Sequence, residues 1–154
     1  MRIFLAVLAA TLMTLAACAP AMQGHRRADA PMQAIVGFDP ARFAGDWHEV
    51  AAIGRTPGAR WHVEPGAGGA LGVTTSRDGA GQGRVIAPGR FTLSTFRSPL
   101  WVLWADADMR SVLLGTPDGS FAILLDRASA MPPDRLRAAR EILDWNGYDL
   151  GALH

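Results

Sequence analysis

Residues 37–54 read GFDPARFAGDWHEVAAIG, and this stretch determines the fold that the sequence predicts. Phe38, Pro40 and Phe43 have the spacing of a short helical turn, which is expected to close one end of the structure that follows. Residues 47–53 then alternate between apolar and polar or small side chains, as a half-buried β-strand does. The stretch therefore predicts a helical turn that leads directly into a first strand.

Seven further extended runs follow this strand, and turn signals separate them. The connecting stretches are rich in Gly, Pro and Asp; they include RDGAGQG at residues 77–83 and PDG at residues 117–119. Eight runs joined by short turns predict an all-β meander that closes into an eight-stranded up-and-down antiparallel β-barrel, because closure leaves no unpaired edge. The seven runs cover residues 60–64, 70–76, 84–87, 90–95, 100–105, 111–116 and 120–126.

A C-terminal α-helix is predicted after the last strand. Pro132, Pro133 and Asp134 suit a first helical turn, where a missing N–H costs nothing and a carboxylate meets the positive end of the dipole. Asn146 and Gly147 are typical of a helix end. We expect the helix to pack on the outside of the barrel through an apolar stripe, with its arginines mainly elsewhere on the surface. The stripe consists of Leu136, Ala139, Ile142 and Leu143, with Ala138 as a further candidate, and the arginines are Arg135, Arg137 and Arg140.

The N-terminal segment has the pattern of a targeting signal. Arg2 precedes an apolar run of about 13 residues, which is shorter than the roughly 20 that a membrane-spanning helix needs. The run ends in LAAC at residues 15–18, which resembles a bacterial lipobox and contains the only cysteine in the sequence. Residues 1–17 are therefore predicted to be a lipoprotein signal peptide, and Cys18 to be the lipidation site that carries acyl chains such as palmitate.

The alternative is an ordinary signal peptide that leaves Cys18 without a role. With Ala19 rather than Asp after the cysteine, lipoprotein sorting favours the outer membrane, so we expect a lipid-anchored protein that faces the periplasm. Residues 18–34 mix Pro, Ala, Gly and charge without periodicity, and they predict a flexible tether. Arg26 and Arg27 in this tether either touch anionic head groups or are simply solvated. One domain is expected over residues 35–154.

Composition excludes several function classes. Removal of residues 1–17 takes away one of the 15 basic residues and leaves 14 against 14 acidic ones, so there is no general electrostatic reason to bind nucleic acid. Without a second cysteine no internal disulfide can form, and the absence of Lys rules out Schiff-base chemistry.

Three blocks of the sequence resemble lipocalins. FAGDWHEVA at residues 43–51 contains the Gly-x-Trp signature of that family and resembles more closely the Trp-x-Glu-x-Ala version of bacterial outer-membrane lipocalins. Residues 101–127 are similar to the last three strands of the family, which end in an Arg, and residues 136–154 resemble its helix followed by Gly-aromatic-Asp. The blocks cover about two-thirds of the predicted mature chain in the right order.

The resemblance implies roles for a structural signature and for a pocket. Gly45 and Trp47 would lie at the closed end of the barrel, with Arg127 packed across the indole. An apolar molecule such as a fatty acid or lysophospholipid would enter the barrel through the open end, and hydrophobic burial would supply most of the affinity. The candidate ligand-binding residues are Glu49, Ala51, Phe91, Leu93, Val102 and Trp104.

The residues leave three alternatives open. The lumen face of residues 100–105 is either Val102 with Trp104 or the opposite set, Trp101 with Leu103. Each apolar candidate is either a pocket residue or simply core. Glu49 either turns inward, where it needs a partner, or lies at the rim in water. The arginines considered as its partner are Arg84, Arg90 and Arg97.

Two departures from the family pattern weaken the prediction of a pocket. Residues 54–97 are shorter and richer in Gly than usual, so the strands are expected to make a shallow cup. Met109 stands where the family often has an aromatic residue, so the local packing is expected to differ from the family pattern.

Catalytic chemistry is not predicted. The sequence has no Gly-x-Ser-x-Gly stretch, and its histidines lack the spacing of metal ligands, so neither an enzyme nor a metal or cofactor site is expected. Asp106 and Asp108 are interpreted as solvated turn formers. The prediction is a lipid-anchored lipocalin that holds a small hydrophobic ligand for transport, storage or sequestration. The alternative is a structural or protein-interaction lipoprotein whose barrel is packed solid and binds no ligand.

Overall fold

The computed structural model of the chain describes residues 22–154, so the predicted signal peptide and Cys18 lie outside the described residues. A hairpin of two short strands, β1 (Met22–Gln23) and β2 (Arg26–Arg27), precedes a short helix, α1 (Pro40–Phe43). Eight strands then form a closed antiparallel barrel in which each strand pairs with its neighbour in the chain and β10 closes onto β3. The barrel strands are β3 (Gly45–Ile53), β4 (Arg60–Pro65), β5 (Ala70–Thr75), β6 (Gly79–Ala87), β7 (Arg90–Leu93), β8 (Leu100–Ala105), β9 (Ser111–Gly115) and β10 (Ala122–Asp126). The predicted eight-stranded barrel is confirmed.

Strand β6 is longer than its sequence predicts. Most of the glycine-rich stretch at residues 77–83 belongs to the strand rather than to a turn, because β6 begins at Gly79. Gly83 pairs with Leu93 so closely that an added Cβ would lie 1.7 Å from the carbonyl oxygen of Thr92. Glycine at this position allows the backbone of β7 to approach closely. Because glycine has a low strand propensity, the sequence does not indicate a strand here.

Strand alternation divides the apolar side chains into two groups. The lumen cluster fills the inside of the barrel. The helix-side cluster lies between the outer face of the barrel and the C-terminal helix. The lumen cluster consists of Phe43, Trp47, Ala59, Trp61, Val63, Leu71, Val73, Phe91, Leu93, Leu100, Val102, Met109, Val112, Leu114, Ile123 and Leu125. The helix-side cluster consists of Ala51, Ile53, Leu103, Leu113, Ala122, Leu124, Ala139, Leu143 and Tyr148.

Three strand pairs are irregular in register, and the irregularities in β3 and β8 change the direction of predicted site residues. In β3 the register with β10 skips Val50, and in β8 the register with β9 skips Leu103. An extra residue of this kind moves the side chains that follow it to the other face. Ala51 and Trp104, both predicted to face the lumen, therefore contact the helix-side cluster instead. For these two residues the predicted pocket position is wrong.

The two ends of the barrel differ. The closed end carries α1 and the connections at residues 66–69, 88–89 and 106–110. Met109 lies there with a φ of 55° and a buried side chain in the lumen cluster, so a methionine fills space where the family pattern has an aromatic residue. The other end, called the mouth, carries the connections at residues 54–59, 76–78, 94–99 and 116–121.

The C-terminal helix α2 (Pro133–Trp145) packs outside the barrel as predicted, through Ala139 and Leu143. Arg135 was expected on the surface, but its guanidinium lies 3.0 Å from the buried carboxylate of Asp126 and donates a hydrogen bond to Ser111. This ion pair ties the helix to β9 and β10. A buried carboxylate at the end of a strand requires such a partner, which explains the correction.

The segment before the barrel is packed rather than free from Met22 onward. Arg26 is buried, and its Nε donates a hydrogen bond to the carbonyl of Asn146 at 2.8 Å. The backbone N–H of Gln33 is bonded to the side chain of Asn146. Residues 22–34 are therefore part of the folded domain, contrary to the predicted flexible tether, because the C-terminal region supplies partners for their polar groups. Among the described residues no helix has the length and apolar character to cross a membrane.

Candidate functional site

The barrel lumen is filled by its own side chains. Ten members of the lumen cluster are 0% exposed, so no surface on them admits a sphere the size of a water molecule. A cavity that held a ligand or a water would expose such surface on its walls, and the space around these side chains is therefore closed. The ten are Phe43, Trp47, Leu71, Phe91, Leu100, Val102, Val112, Leu114, Ile123 and Leu125.

Three of the predicted ligand-binding residues do lie in the lumen. Phe91 and Leu93 come from β7 and Val102 from β8. Phe91 belongs to an aromatic group at the closed end, where its ring centroid lies 6.0 Å from those of Phe38 and Phe43. Leu93, the last residue of β7, lies next to the mouth connection at residues 94–99.

Glu49 is the charged group inside the barrel wall, with a side chain that is 0% exposed. Its Oε2 accepts a hydrogen bond from Trp61 Nε1 at 3.3 Å. Its Oε1 accepts one from Arg77 at 3.2 Å and lies 3.3 Å from Arg55 Nε. Glu49 thus turns inward, and its partners are Arg55 and Arg77 from the mouth connections rather than Arg84, Arg90 or Arg97, the three arginines considered from the sequence.

Arg55 also covers the top of the lumen. Its guanidinium carbon lies 5.6 Å from the ring centroid of Phe96 and 5.7 Å from that of Phe121. The two rings contact each other at 5.2 Å, and Phe96 stacks on Trp61 at 5.9 Å. Arg55, Phe96 and Phe121 together form the mouth plug. All three are carried on connections between strands, and all three are partly exposed.

The charges around the mouth plug balance one another. Arg55 donates a hydrogen bond to Asp78 at 2.8 Å, so two guanidiniums face two carboxylates, those of Glu49 and Asp78. The side chain of Arg77 is 34% exposed, whereas that of Arg55 is 13% exposed. Arg55 Nε is buried and has no hydrogen-bond acceptor among the described residues despite its proximity to Glu49. The network therefore retains one unsatisfied donor beneath the surface, next to the apolar lumen.

The closed end is held by Trp47 and Arg127. The guanidinium carbon of Arg127 lies 3.6 Å from the indole centroid of Trp47, in the contact that the resemblance implies. Its two nitrogens donate hydrogen bonds to the carbonyls of Arg42 and Asp46, and Trp47 Nε1 donates one to the carbonyl of Phe43. Partial burial lowers the pKa of Arg127, although the nearby carboxylate of Asp46 opposes this effect.

Gly45 belongs to the same closed end. It has a φ of 91°, a region that favours glycine, and an added Cβ would lie 3.4 Å from Arg127. The Gly-x-Trp pair thus combines a backbone turn with an indole that the arginine can cover.

Polar bonds fix the last connection of the mouth. Partial burial would raise the pKa of Asp118, but hydrogen bonds from Ser98, Ser120 and Thr116 outweigh it and lower the pKa to about 2. Burial raises the pKa of Tyr148 to about 12, and its hydroxyl bonds both the N–H and the carbonyl of Thr116. The connection at residues 116–121 is therefore held from the outside by the C-terminal region, while Phe121 remains at the mouth.

The outer face of β3, β4 and β5 carries a depression of about 530 Å³ whose lining includes Asp46, His48 and His62. His62 Nδ1 lies 2.6 Å from a carboxylate oxygen of Asp46, and this hydrogen bond is the main cause that raises the pKa of His62. Both side chains are exposed, on the opposite face of the sheet from Trp47 and Trp61. Within residues 22–154 no three His, Cys, Asp or Glu side chains come together in a way that could hold a metal ion.

Four residues of the mouth were not predicted as site residues: Arg55, Arg77, Phe96 and Phe121. All four lie in connections between strands, where neither period nor propensity places a side chain relative to the lumen. The available signal was Glu49 itself. A carboxylate with inward parity requires a cation, and Arg55 follows it within the next connection.

No family model matches the sequence, and the comparison with curated proteins also found no match. Solved structures do match. Insecticyanin from the tobacco hornworm Manduca sexta has a TM-score of 0.58 at 16% identity, over 86% of this chain and 86% of that chain. The siderocalin Ex-FABP has a TM-score of 0.59 at 14% identity, over 73% of this chain and 91% of that one. Lobster apocrustacyanin A1 has a TM-score of 0.58 at 15% identity, over 81% and 88%. At this level of identity the likeness concerns the fold, and the chain has the lipocalin fold.

Proposed function

We propose that this chain is a lipid-anchored lipocalin of the cell envelope that binds a small hydrophobic ligand, of the fatty acid or lysophospholipid class, for transport, storage or sequestration. The observation that carries the proposal is the mouth plug. Arg55, Phe96 and Phe121 are partly exposed side chains on connections, and directly beneath them lies a lumen whose wall is apolar apart from Glu49 and Thr75.

The mechanism is displacement of the plug. Because the lumen is closed around its side chains, a ligand has to occupy the volume that Phe96 and Phe121 vacate when their connections move outward. An acyl chain that takes the place of the two phenyl rings keeps the indole of Trp61 covered by apolar groups. The apparent affinity equals the affinity of the open form multiplied by the fraction of molecules in which the plug is open.

The charges at the mouth suit an amphiphile. Arg55 and Arg77 lie at the boundary between lumen and solvent, and Arg55 Nε lacks an acceptor among the described residues. An anionic head group can accept hydrogen bonds from these donors while its tail points toward Leu93. Among the structural neighbours, the siderocalin Ex-FABP is described as functioning through dual ligand specificities, which supports a binding role for a barrel of this shape.

The proposed cellular location is argued from the N-terminal sequence alone. Cleavage before Cys18 and acylation of that residue would place the barrel at the outer membrane, facing the periplasm. Several acyl chains anchor a protein stably, whereas a single chain binds a membrane only marginally.

A second candidate function is favoured by the filled lumen. The ten lumen side chains with 0% exposure leave no solvent-sized surface around themselves, as in a protein core. Such a barrel would act through its outer surface, as a structural or protein-interaction lipoprotein without a ligand. The two candidates differ in whether the plug opens.

A titration with a fluorescent fatty acid separates the two candidates. With the chain that begins at Ala19, we expect saturable binding in the micromolar range and, in Phe96→Ala, an affinity roughly five- to tenfold tighter because the cost of opening the plug is removed. Phe38→Ala is the matched control, since it removes the same side chain at the closed end and should leave the affinity unchanged. Native mass spectrometry of protein extracted from membranes should show a co-purified lipid.

A flat titration for wild type and Phe96→Ala, together with no co-purified lipid, would establish the packed barrel instead. Binding that is saturable but equally strong in Phe96→Ala would show that the ligand does not enter through the plug.

A further inference from the structure

The hairpin β1–β2 docks at the mouth end of the barrel. The backbone N–H of His25 donates a hydrogen bond to the carbonyl of Gly119 at 2.7 Å, within the connection at residues 116–121. A Cβ added to Gly54, in the first mouth connection, would lie 2.9 Å from the imidazole of His25. The first described residue, Met22, therefore lies beside the mouth and not beside the closed end.

The end of α2 reaches the same rim. Tyr148 bonds Thr116 in the last mouth connection, and Asn146 receives the hydrogen bond from Arg26. Trp145, the last residue of α2, stands next to these contacts. The hairpin and the helix end thus form one continuous part of the rim.

This part of the rim exposes large apolar side chains. Trp145 is 67% exposed and Met22 is 51% exposed. A depression of about 420 Å³ lies between hairpin and helix end, and its wall includes Met22, Arg27 and Leu150. Exposed tryptophan and arginine side chains are both enriched at the level of lipid head groups.

The length of chain outside the described residues limits where a membrane can lie. Met22 is the fourth residue after Cys18, and a fully extended chain of that length spans at most about 14 Å. If Cys18 carries acyl chains in a bilayer, Met22 is held within that distance of the head groups. The opposite end of the barrel then points away from the membrane.

We propose that the rim formed by Met22, Arg27 and Trp145 rests on the phospholipid surface, so that the mouth of the barrel faces the bilayer. The inference rests on the lipid anchor of the proposed function. The carboxylates of Asp144 and Asp149 border the depression, so Arg27 is not part of a net basic patch and insertion of the apolar side chains provides the contact. A ligand would then pass from the bilayer to the mouth plug without crossing bulk water.

The test places an environment-sensitive fluorophore on single introduced cysteines in the full acylated protein, in which Cys18 is blocked by its lipid. Trp145→Cys and Met22→Cys report on the rim, and Ile86→Cys is the matched control, because Ile86 is 52% exposed and lies near the closed end. The protein is reconstituted in phosphatidylcholine vesicles with and without brominated acyl chains, and flotation verifies its attachment.

The expected result is quenching of the label at positions 145 and 22 by brominated lipid that is at least roughly threefold stronger than at position 86. Equal quenching at all three positions in protein that floats with the vesicles would overturn the orientation and leave the anchor intact. Protein that fails to float would overturn the anchor and the orientation together, while the fatty acid titration would still decide the binding function.

Discussion

Trp47→Ala should lower the free energy of unfolding by about 3–5 kcal/mol, the range for removal of a large aromatic side chain from a core. Trp47 is fully buried, its indole N–H is bonded to the carbonyl of Phe43, and its ring centroid lies 5.3 Å from that of Phe43. Its removal leaves a cavity at the closed end that α1 cannot fill. A decrease of this size is a large part of the roughly 5–15 kcal/mol that a domain typically has.

Equilibrium unfolding in urea measures this effect, and Trp145→Ala serves as a control of the same chemistry. Because Trp145 is two-thirds exposed, its removal should change the free energy of unfolding by less than about 0.5 kcal/mol. A double-mutant cycle with Arg127→Ala should then give a coupling of about 1 kcal/mol for the cation–π contact. A cost below about 1 kcal/mol for Trp47→Ala would contradict its place in the core.

Glu49→Gln is the second change with a large expected effect. The substitution keeps the shape of the side chain but leaves Arg55 and Arg77 without their buried counter-charge. Breaking a buried ion pair from one side costs about 3–5 kcal/mol, and we expect the low end because Arg77 is one-third exposed and can turn toward water. The mouth should loosen before the rest of the barrel, since the network is confined to that end.

Thermal and urea unfolding of Glu49→Gln measure the cost, and Glu64→Gln is the matched control on an exposed side chain of β4. The control should be neutral within about 0.5 kcal/mol. Hydrogen exchange should show faster exchange in the connections at residues 54–59 and 94–99 than at the closed end. A neutral Glu49→Gln would mean that the carboxylate is not buried against the two arginines.

The fold could be predicted from the sequence because its signals are local. Alternating strands, Gly- and Pro-containing turns and the stripe of the C-terminal helix each appear within a few residues, and a meander needs no long-range rule to be assembled. The contacts of the closed end could also be predicted from the sequence, because Gly45, Trp47 and Arg127 match a known pattern. The exception is β6, whose glycines serve the close approach of β7 and imitate a turn.

The site could be predicted only in part, because extra residues in strands and partners from connections leave no periodic signal in the sequence. Alternation assigns faces correctly until a strand gains an extra residue, and nothing in the sequence marks Val50 or Leu103 as such residues. Ala51 and Trp104 were misplaced for this reason, whereas Phe91 was placed correctly because the extra residue in the β6–β7 pair belongs to β6. The partners of Glu49 come from connections, whose positions depend on the closed barrel and not on the strand period.

The packing of residues 22–34 also could not be predicted from the sequence. Arg26 is buried because Asn146, about 120 residues later, provides an acceptor, and a pairing at that separation leaves no periodic trace. A charged, proline-containing segment is indistinguishable from a linker until its partners are known.

Intermolecular NMR contacts between a bound fatty acid and assigned methyl groups test the central claim most directly. If a ligand displaces the mouth plug and enters the barrel, the acyl chain should show nuclear Overhauser effects to Leu93 and Leu125 in the lumen cluster and none to Leu124 and Leu143 in the helix-side cluster. Contacts restricted to Leu124 and Leu143, or no contacts at saturating fatty acid, would show that the barrel stays closed and would contradict the carrier function.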